Sequence, residues 1–137
     1  FNMGASMAPA AVDTILTHLE DTNQKPSDFD AIITGDLGKC GVDIAIDVAK
    51  RLGTDLSEVL IDCGKMMYDD EIQGTNSGAS GCGCSASIFT GYFYKELISG
   101  KYKKILLVPT GALMSPGSTQ QGNTIPGIAH AVCVERG

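Results

Sequence analysis

The chain is organised around a segment of small residues and the apolar run that follows it, Gly78-Ala79-Ser80-Gly81-Cys82-Gly83-Cys84-Ser85-Ala86-Ser87 and Ile88-Phe89-Thr90-Gly91-Tyr92-Phe93. Glycine and small polar residues let the backbone come close to another backbone or to a ligand. The apolar run predicts a helix that continues to Ser99, with Gly100 in the C′ position that glycine favours. Apolar residues cover most of its circumference, which predicts a helix buried on nearly all sides. Its N-terminus presents free N–H groups and a partial positive charge, which suit an anion.

Further apolar patterns on both sides of this segment predict an α/β fold. Helices are predicted at 5–21 and 42–52, and strands at 31–34, 59–61, 105–108 and 129–135. Strands separated by helices favour a mostly parallel sheet with helices on both faces. The last two strands are joined by a long segment without a helix, 110–127, so the last strand is expected to be antiparallel. A loop of this length in a compact domain is usually functional or mobile.

The composition is that of one globular domain and excludes several classes of protein. The chain has 137 residues, of which 43% are hydrophobic, and a formal net charge of −6. Its only basic cluster is Lys101, Lys103 and Lys104, so nucleic-acid binding is not expected. No apolar run approaches a membrane span and no signal peptide is visible. Five cysteines, an odd number, favour a reduced, intracellular protein. Because the chain starts at Phe1, we expect it to be a piece of something longer.

Cys82 and Cys84 admit three interpretations. A metal or redox pair is disfavoured because the spacing is not Cys-x-x-Cys and no second pair accompanies it. Tight packing of small thiols at a helix start is the plainer interpretation. A helix N-terminus also lowers the pKa of a thiol, but a nucleophile needs a base. His130, beside the long loop, is the better candidate for contact with a ligand, whereas His18 is expected at the surface.

Asp36 lies in a glycine-rich loop directly after the predicted strand 31–34. Ligands of open α/β sheets bind beyond the carboxyl ends of the strands, which makes Asp36 a candidate ligand-binding residue. The alternative is that Asp36 caps the following helix or its turn. Asp43 and Asp47 are predicted to lie on a solvated face of that helix.

Six uncommon motifs follow one another along the chain. They are Thr34-Gly35-Asp36-Leu37-Gly38, Asp62-Cys63-Gly64, Gly81-Cys82-Gly83-Cys84-Ser85-Ala86, Thr110-Gly111-Ala112-Leu113 with Ser115-Pro116, Gln120-Gln121-Gly122 and Ile125-Pro126-Gly127-Ile128-Ala129-His130-Ala131-Val132. Together they resemble the stage V sporulation protein AD family over nearly the whole chain. The resemblance implies a thiolase-like fold, of which residues 1–137 form the C-terminal half-domain, with the N-terminal half absent from this chain.

The resemblance also implies that this half does not catalyse a reaction. In the related condensing enzymes the nucleophilic Cys lies in the N-terminal half, and the C-terminal half supplies a His and an Asn. By order along the chain, Asp36 stands where that His would be, and a residue near Cys82 where that Asn would be. The His and Asn donate hydrogen bonds to a carbonyl oxygen that gains negative charge. An ionised Asp cannot donate, and a thiol is a poor donor.

The resemblance implies instead that the protein binds dipicolinic acid, either alone or as its calcium chelate, for uptake into the developing spore. The family's other partners are the stage V A-operon proteins, which implies a peripheral position at the inner spore membrane. No cofactor and no resident metal are expected. The candidate ligand-binding residues are Asp36, Cys82, Gly83, Cys84, Ser85 and His130.

Two other functions remain open at this stage. One is an acyl-CoA thiolase or condensing-type acyltransferase, and the other is a structural subunit of a spore membrane transport complex. An unpaired sheet edge and a central helix exposed on one side would be adhesive, so we also expect a homodimer.

Overall fold

The computed structural model describes residues 3–35, 37–63, 93–112 and 127–135. Three α-helices lie in these ranges: α1 (Met3–Asp21), α2 (Gly38–Arg51) and α3 (Tyr94–Ser99), with a short 3-10 helix at Pro26–Asp28. The strands are β1 (Ala31–Thr34), β2 (Leu60–Asp62), β3 (Lys104–Val108), β4 (Thr110–Ala112), β5 (Gly127–Ala129) and β6 (Val132–Glu135).

The main sheet has the strand order β2-β1-β3-β6. Strand β1 is parallel to both β2 and β3, whereas β3 and β6 are antiparallel. The prediction of a mostly parallel sheet with an antiparallel last strand is therefore confirmed. The parallel strands end together, so their carboxyl ends form one edge of the sheet.

Helices cover both faces of this sheet. Ile32 faces α1 and α2 in one buried cluster, whereas Ala31 and Ile33 pack with Phe93 and Leu97 in a second cluster on the other face. This alternation follows from the two-residue period of a strand, and β1 is buried along its whole length. The predicted α/β class is confirmed, and the layers are consistent with one half of a thiolase-like fold.

Helix α2 begins at Gly38, four residues before the predicted start at Val42. Its first turn is glycine-rich, and glycine is more typical of a loop than of a helix interior. A Cβ on Gly41 would lie 2.9 Å from the carbonyl oxygen of Gly4, so glycine here permits close contact between α1 and α2. The smaller corrections are that α1 begins two residues earlier than predicted and that β2 is displaced by one residue, to Leu60–Asp62.

Strands β3 to β6 form an interrupted hairpin. Leu107 pairs with Val132 and Thr110 pairs with Ala129, so two residues on each side separate the pairs and the register does not change. Pro109 lies in the gap and has no N–H to donate to the ladder. The expectation of one strand over 129–135 is corrected to two, and the ends of the predicted loop 110–127 belong to β4 and β5.

The described end of the central helix is α3. It stops as predicted at Ser99, and Gly100 adopts the left-handed conformation with φ 86°. Leu97 is buried against the sheet, but Tyr94 and Ile98 expose 53% and 62% of their surface. Burial on nearly all sides is thus wrong for this turn, because the described elements cover only the face toward the sheet. The earlier part of the predicted helix lies outside the described residues.

Candidate functional site

The candidate site is the carboxyl edge of the sheet, where β1 and β2 end side by side. The parallel register pairs Thr34 with Asp62, the last residues of the two strands. Both side chains are buried, and Asp62 exposes only 2% of its surface. A buried carboxylate is costly unless hydrogen-bond donors surround it.

Three donors among the described residues meet the Asp62 carboxylate. Its Oδ1 accepts hydrogen bonds from the Thr34 hydroxyl at 2.7 Å and from the Leu37 N–H at 2.9 Å. Its Oδ2 accepts one from the Gly38 N–H at 3.0 Å. The carboxylate thereby caps α2 from a neighbouring strand, because Leu37, at the N-cap position, makes no side-chain cap bond. Asp62 fixes the segment that joins β1 to α2.

Most of the predicted ligand-binding residues cannot be placed by this geometry. Asp36, Cys82, Gly83, Cys84 and Ser85 lie outside the described residues. Gly35 and Leu37, the neighbours of Asp36, are described and buried at the carboxyl edge. Residues 64–92, which contain the segment with the two thiols, follow directly after the end of β2 at this edge.

His130 is the predicted site residue that the structure describes. It is exposed, and its backbone N–H donates to the carbonyl oxygen of Pro109 at 3.2 Å. The expectation that it begins a strand is corrected, since it lies in the gap between β5 and β6. The register puts it just beyond the carboxyl end of β3, at the same edge as Asp62 but on the other side of β1.

Two helix N-termini also meet at this edge. Gly4 in the first turn of α1 lies against Gly41 in the first turn of α2. Neither first turn contains an acidic residue. The partial positive charge of both helices is therefore directed to this edge, and Asp62 takes up two N–H groups at the start of α2. The edge can stabilise an anion. Asp62 has a structural role there, as the acceptor of the N–H groups at the start of α2.

The remaining described candidates for metal or thiol chemistry lie apart. No group of three His, Cys, Asp or Glu side chains suited to a metal occurs within the described ranges. Cys63 is buried, whereas Cys40 and Cys133 are exposed. His18 is half-buried beside Phe29, with ring centroids 6.2 Å apart, and not at the surface as expected. It lies in the last turn of α1, toward the opposite edge of the sheet.

The sequence interpretation did not identify Asp62 as a site residue. It noted Asp62 only as part of a motif, because an acidic residue after a short apolar run has many roles. The usable pattern is that two buried strands, 31–34 and 60–62, each end in a polar residue. Carboxyl ends of parallel strands meet at one edge, so Thr34 and Asp62 were candidates for a contact.

The fold defines a class, an α/β half-domain of thiolase-like layers with a buried carboxylate at the carboxyl edge. Residues 1–135 match the family model of stage V sporulation protein AD. The chain belongs to the stage V sporulation protein AD family, a family of sporulation proteins.

One curated relative is the stage V sporulation protein AD of Bacillus subtilis (strain 168). It is 44% identical over 136 residues, an alignment that covers 99% of this chain and 40% of the relative. The chain thus spans about 40% of the length of the relative that it matches. Family membership confirms the resemblance on which the sequence interpretation relied. None of the helices in the described ranges has the length and hydropathy needed to cross a bilayer.

Proposed function

We propose that this chain is part of a sporulation protein that binds dipicolinic acid at the carboxyl edge of its sheet and moves it toward the spore without changing it chemically. The observation that carries the proposal is membership of the stage V sporulation protein AD family. Dipicolinate is a small aromatic dianion, and the N-terminus of α1, which is directed to this edge and has no acidic residue in its first turn, favours negative charge.

The Asp62 contacts indicate which part of the edge remains for the ligand. Asp62 takes up the Leu37 and Gly38 N–H groups, so the start of α2 is already neutralised. The dianion is better suited to the predicted helix start at Gly83 to Ser85, which would offer N–H groups without adding charge. Asp36, one residue before Leu37, would contact a calcium ion or a hydrogen-bond donor of the complex more favourably than a bare carboxylate.

Binding without chemistry is favoured over acyl transfer by the residue types at the edge. By the resemblance, Asp36 and a residue near Cys82 stand where a condensing enzyme would need donors to an oxyanion, and neither a carboxylate nor a thiol donates well. The acidic side chain that the structure describes there, Asp62, already accepts hydrogen bonds from Thr34, Leu37 and Gly38. His130 is exposed at the same edge.

We further propose a peripheral position at the inner spore membrane, together with the other stage V A-operon proteins, and self-association as a homodimer. Exposed apolar side chains on described elements support association with other chains: Val132 on β6 exposes 52% of its surface, and Ile98 on α3 exposes 62%. Sedimentation of the full-length protein would test the homodimer, and a monomer at high concentration would contradict it.

The test of the ligand site uses variants of the full-length protein. Asp36→Ala and Cys82→Ala should each weaken the binding of dipicolinate in the presence of calcium by about tenfold or more, as measured by calorimetric titration. The matched controls are Asp47→Ala on the exposed face of α2 and Cys133→Ala on β6, because both remove the same groups elsewhere. If all four variants bind dipicolinate as the parent does, the pocket lies outside this edge.

A further inference from the structure

A concave surface lies at the opposite edge of the sheet, where the strands begin. It has a cavity volume of about 790 Å³ and is open to solvent along one side. We call it the amino-edge groove, and its walls are residues 23–27, after α1, and 52–55, after α2. The predicted ligand residues are not part of its described lining.

The floor of the amino-edge groove is apolar. Leu16 and Val59 are half-buried, and Leu19 is buried beneath them. Leu52 lines the groove and exposes 65% of its surface to solvent. One exposed leucine is ordinary on a protein surface, but here it borders a concavity that already contains other apolar side chains. An apolar side chain from outside would therefore be covered on several sides.

Hydrogen bonds hold both walls of the groove in place. The Gln24 N–H donates to the Leu19 carbonyl oxygen at 2.8 Å, and the Thr54 N–H donates to that of Ala49 at 2.9 Å. The Asp55 carboxylate accepts from the Ser57 hydroxyl at 2.6 Å and from its N–H at 3.0 Å. A groove with fixed walls needs little ordering when a partner binds.

The rim of the groove is acidic. Glu20, Asp55 and Glu58 are exposed along it, against one cation among its described residues, Lys25. The hydrogen bonds from the Ser57 hydroxyl and then from its N–H lower the pKa of the Asp55 carboxyl. Both α1 and α2 end at this edge, which adds the partial negative charge of two helix C-termini.

Cations near the groove cancel only part of this charge. Lys50 and Arg51 lie in the last turn of α2 but are not among the lining residues. The positive charge of Lys50 is the smallest of the causes that lower the pKa of the Asp55 carboxyl, and it offsets part of the charge of Asp55. The Arg51 guanidinium is 3.1 Å from the Asp47 carboxylate, so its charge is already paired.

We propose that the amino-edge groove docks a basic amphipathic peptide segment of a partner protein. A bulky apolar side chain of that segment enters between Leu16 and Leu52, and lysine or arginine residues on either side of it face Glu20 and Glu58. The open side of the groove suits a continuing chain better than a small enclosed ligand. Complementary charge supplies specificity and speeds association, while the buried apolar side chain supplies most of the affinity.

This docking is independent of the proposed dipicolinate site. The groove and the Asp62 site lie at opposite ends of the parallel strands. A partner segment at the amino edge therefore leaves the carboxyl edge open, so that both can be occupied together.

The test uses the full-length protein and two fluorescent peptides of equal length, one built from leucine and lysine and the other from leucine and glutamate. Anisotropy should show binding of the lysine peptide at least about tenfold tighter than that of the glutamate peptide. The paired substitution Leu52→Ser with Glu58→Lys should weaken the lysine peptide by about tenfold. The matched control is Tyr94→Ser with Asp13→Lys, which changes one exposed apolar and one exposed acidic residue outside the groove.

The proposal is supported if the control double variant binds the lysine peptide within about twofold of the parent affinity. The groove double variant must lose that binding. Equal weakening by both pairs, or no binding of the lysine peptide, overturns it. Two further outcomes would also overturn the proposal, because each would show that the groove binds something other than a peptide segment of a partner protein. If the groove pair converts a dimer into a monomer in sedimentation, the occupant is a second copy of the chain. If spermidine binds with the same dependence on Glu58 and displaces the peptide, the occupant is a small polycation.

Discussion

The Thr34 hydroxyl lies 2.7 Å from Asp62 Oδ1 and joins the ends of two parallel strands at the carboxyl edge of the sheet. The same carboxylate accepts the N–H groups of Leu37 and Gly38. A single side chain thus sets the positions of β1, β2 and the start of α2. The proposed ligand-binding residue Asp36 stands in the sequence between Thr34 and Leu37, the two residues that donate to Asp62 Oδ1.

Substituting Asp62→Asn should release the start of α2. An amide in this position places its own N–H₂ group against at least one donor, so buried N–H or hydroxyl groups lose their acceptor. We expect the free energy of unfolding to fall by about 2 to 4 kcal/mol. Amide hydrogen exchange across residues 35–41 should become at least about tenfold faster.

Thr34→Val is the graded control for that substitution, because it removes the hydroxyl donor and leaves both backbone donors to Asp62 in place. It should cost about 1 kcal/mol and leave exchange at Leu37 and Gly38 nearly unchanged. If Asp62→Asn and Thr34→Val change amide hydrogen exchange across residues 35–41 equally, the Asp62 carboxylate does not hold this segment in place.

Gly41→Ala should force α1 and α2 apart. The added methyl group would lie 2.9 Å from the Gly4 carbonyl oxygen and 2.9 Å from Leu37 Cβ. Overpacking of this kind costs about 1 to 3 kcal/mol, which chemical denaturation of the full-length protein would measure. Lys39→Ala, an exposed change in the same helix, should stay within about 0.5 kcal/mol. A Gly41 variant as stable as the Lys39 variant would contradict the close helix contact.

Asp30 should make folding stability depend on acid pH. The N–H groups of Lys103 and Lys104 donate to its Oδ2 at 2.6 and 3.0 Å. These bonds, from Lys103 first and Lys104 second, lower the pKa of Asp30 from 3.8. Because the folded-state pKa is lowered, the stabilisation is complete above pH 3.8 and is lost as the pH falls through the folded value. The exposed site limits it to less than about 1 kcal/mol.

Thermal unfolding of the parent and of Asp30→Asn from neutral to acid pH checks this prediction. The difference between them should shrink as the pH falls below 3.8. Lys103→Ala keeps both backbone donors and should retain most of the pH dependence. A difference between the parent and Asp30→Asn that is constant with pH would show that the carboxylate contributes nothing through its charge.

The parts of the fold that follow from hydrophobic periodicity were predictable. The strand at 31–34 was placed with its observed bounds, since a short buried run between Asp30 and Gly35 has few alternatives. The antiparallel last strand followed from the lack of a helical pattern in the sequence 110–127, and the end of α3 followed from Gly100. Local sequence determines each of these features.

The parts that depend on distant contacts were not predictable in the same way. The start of α2 is capped by Asp62, 24 residues further along the chain than Gly38, and the side chain of Leu37 at the N-cap position makes no cap hydrogen bond. The break at Pro109 and His130 depends on the register of a hairpin whose strands are far apart in sequence. The exposure of Ile98 depends on what covers α3, which apolar periodicity alone does not show.

The most direct test of the central claim is a calorimetric titration of the full-length protein with dipicolinate, with and without calcium, and in parallel with an acyl-CoA. The account predicts saturable heat with dipicolinate, no heat with the acyl-CoA and no chemical change in either compound. Saturable binding and turnover of the acyl-CoA, with no response to dipicolinate, would contradict the account and place the protein among the acyltransferases.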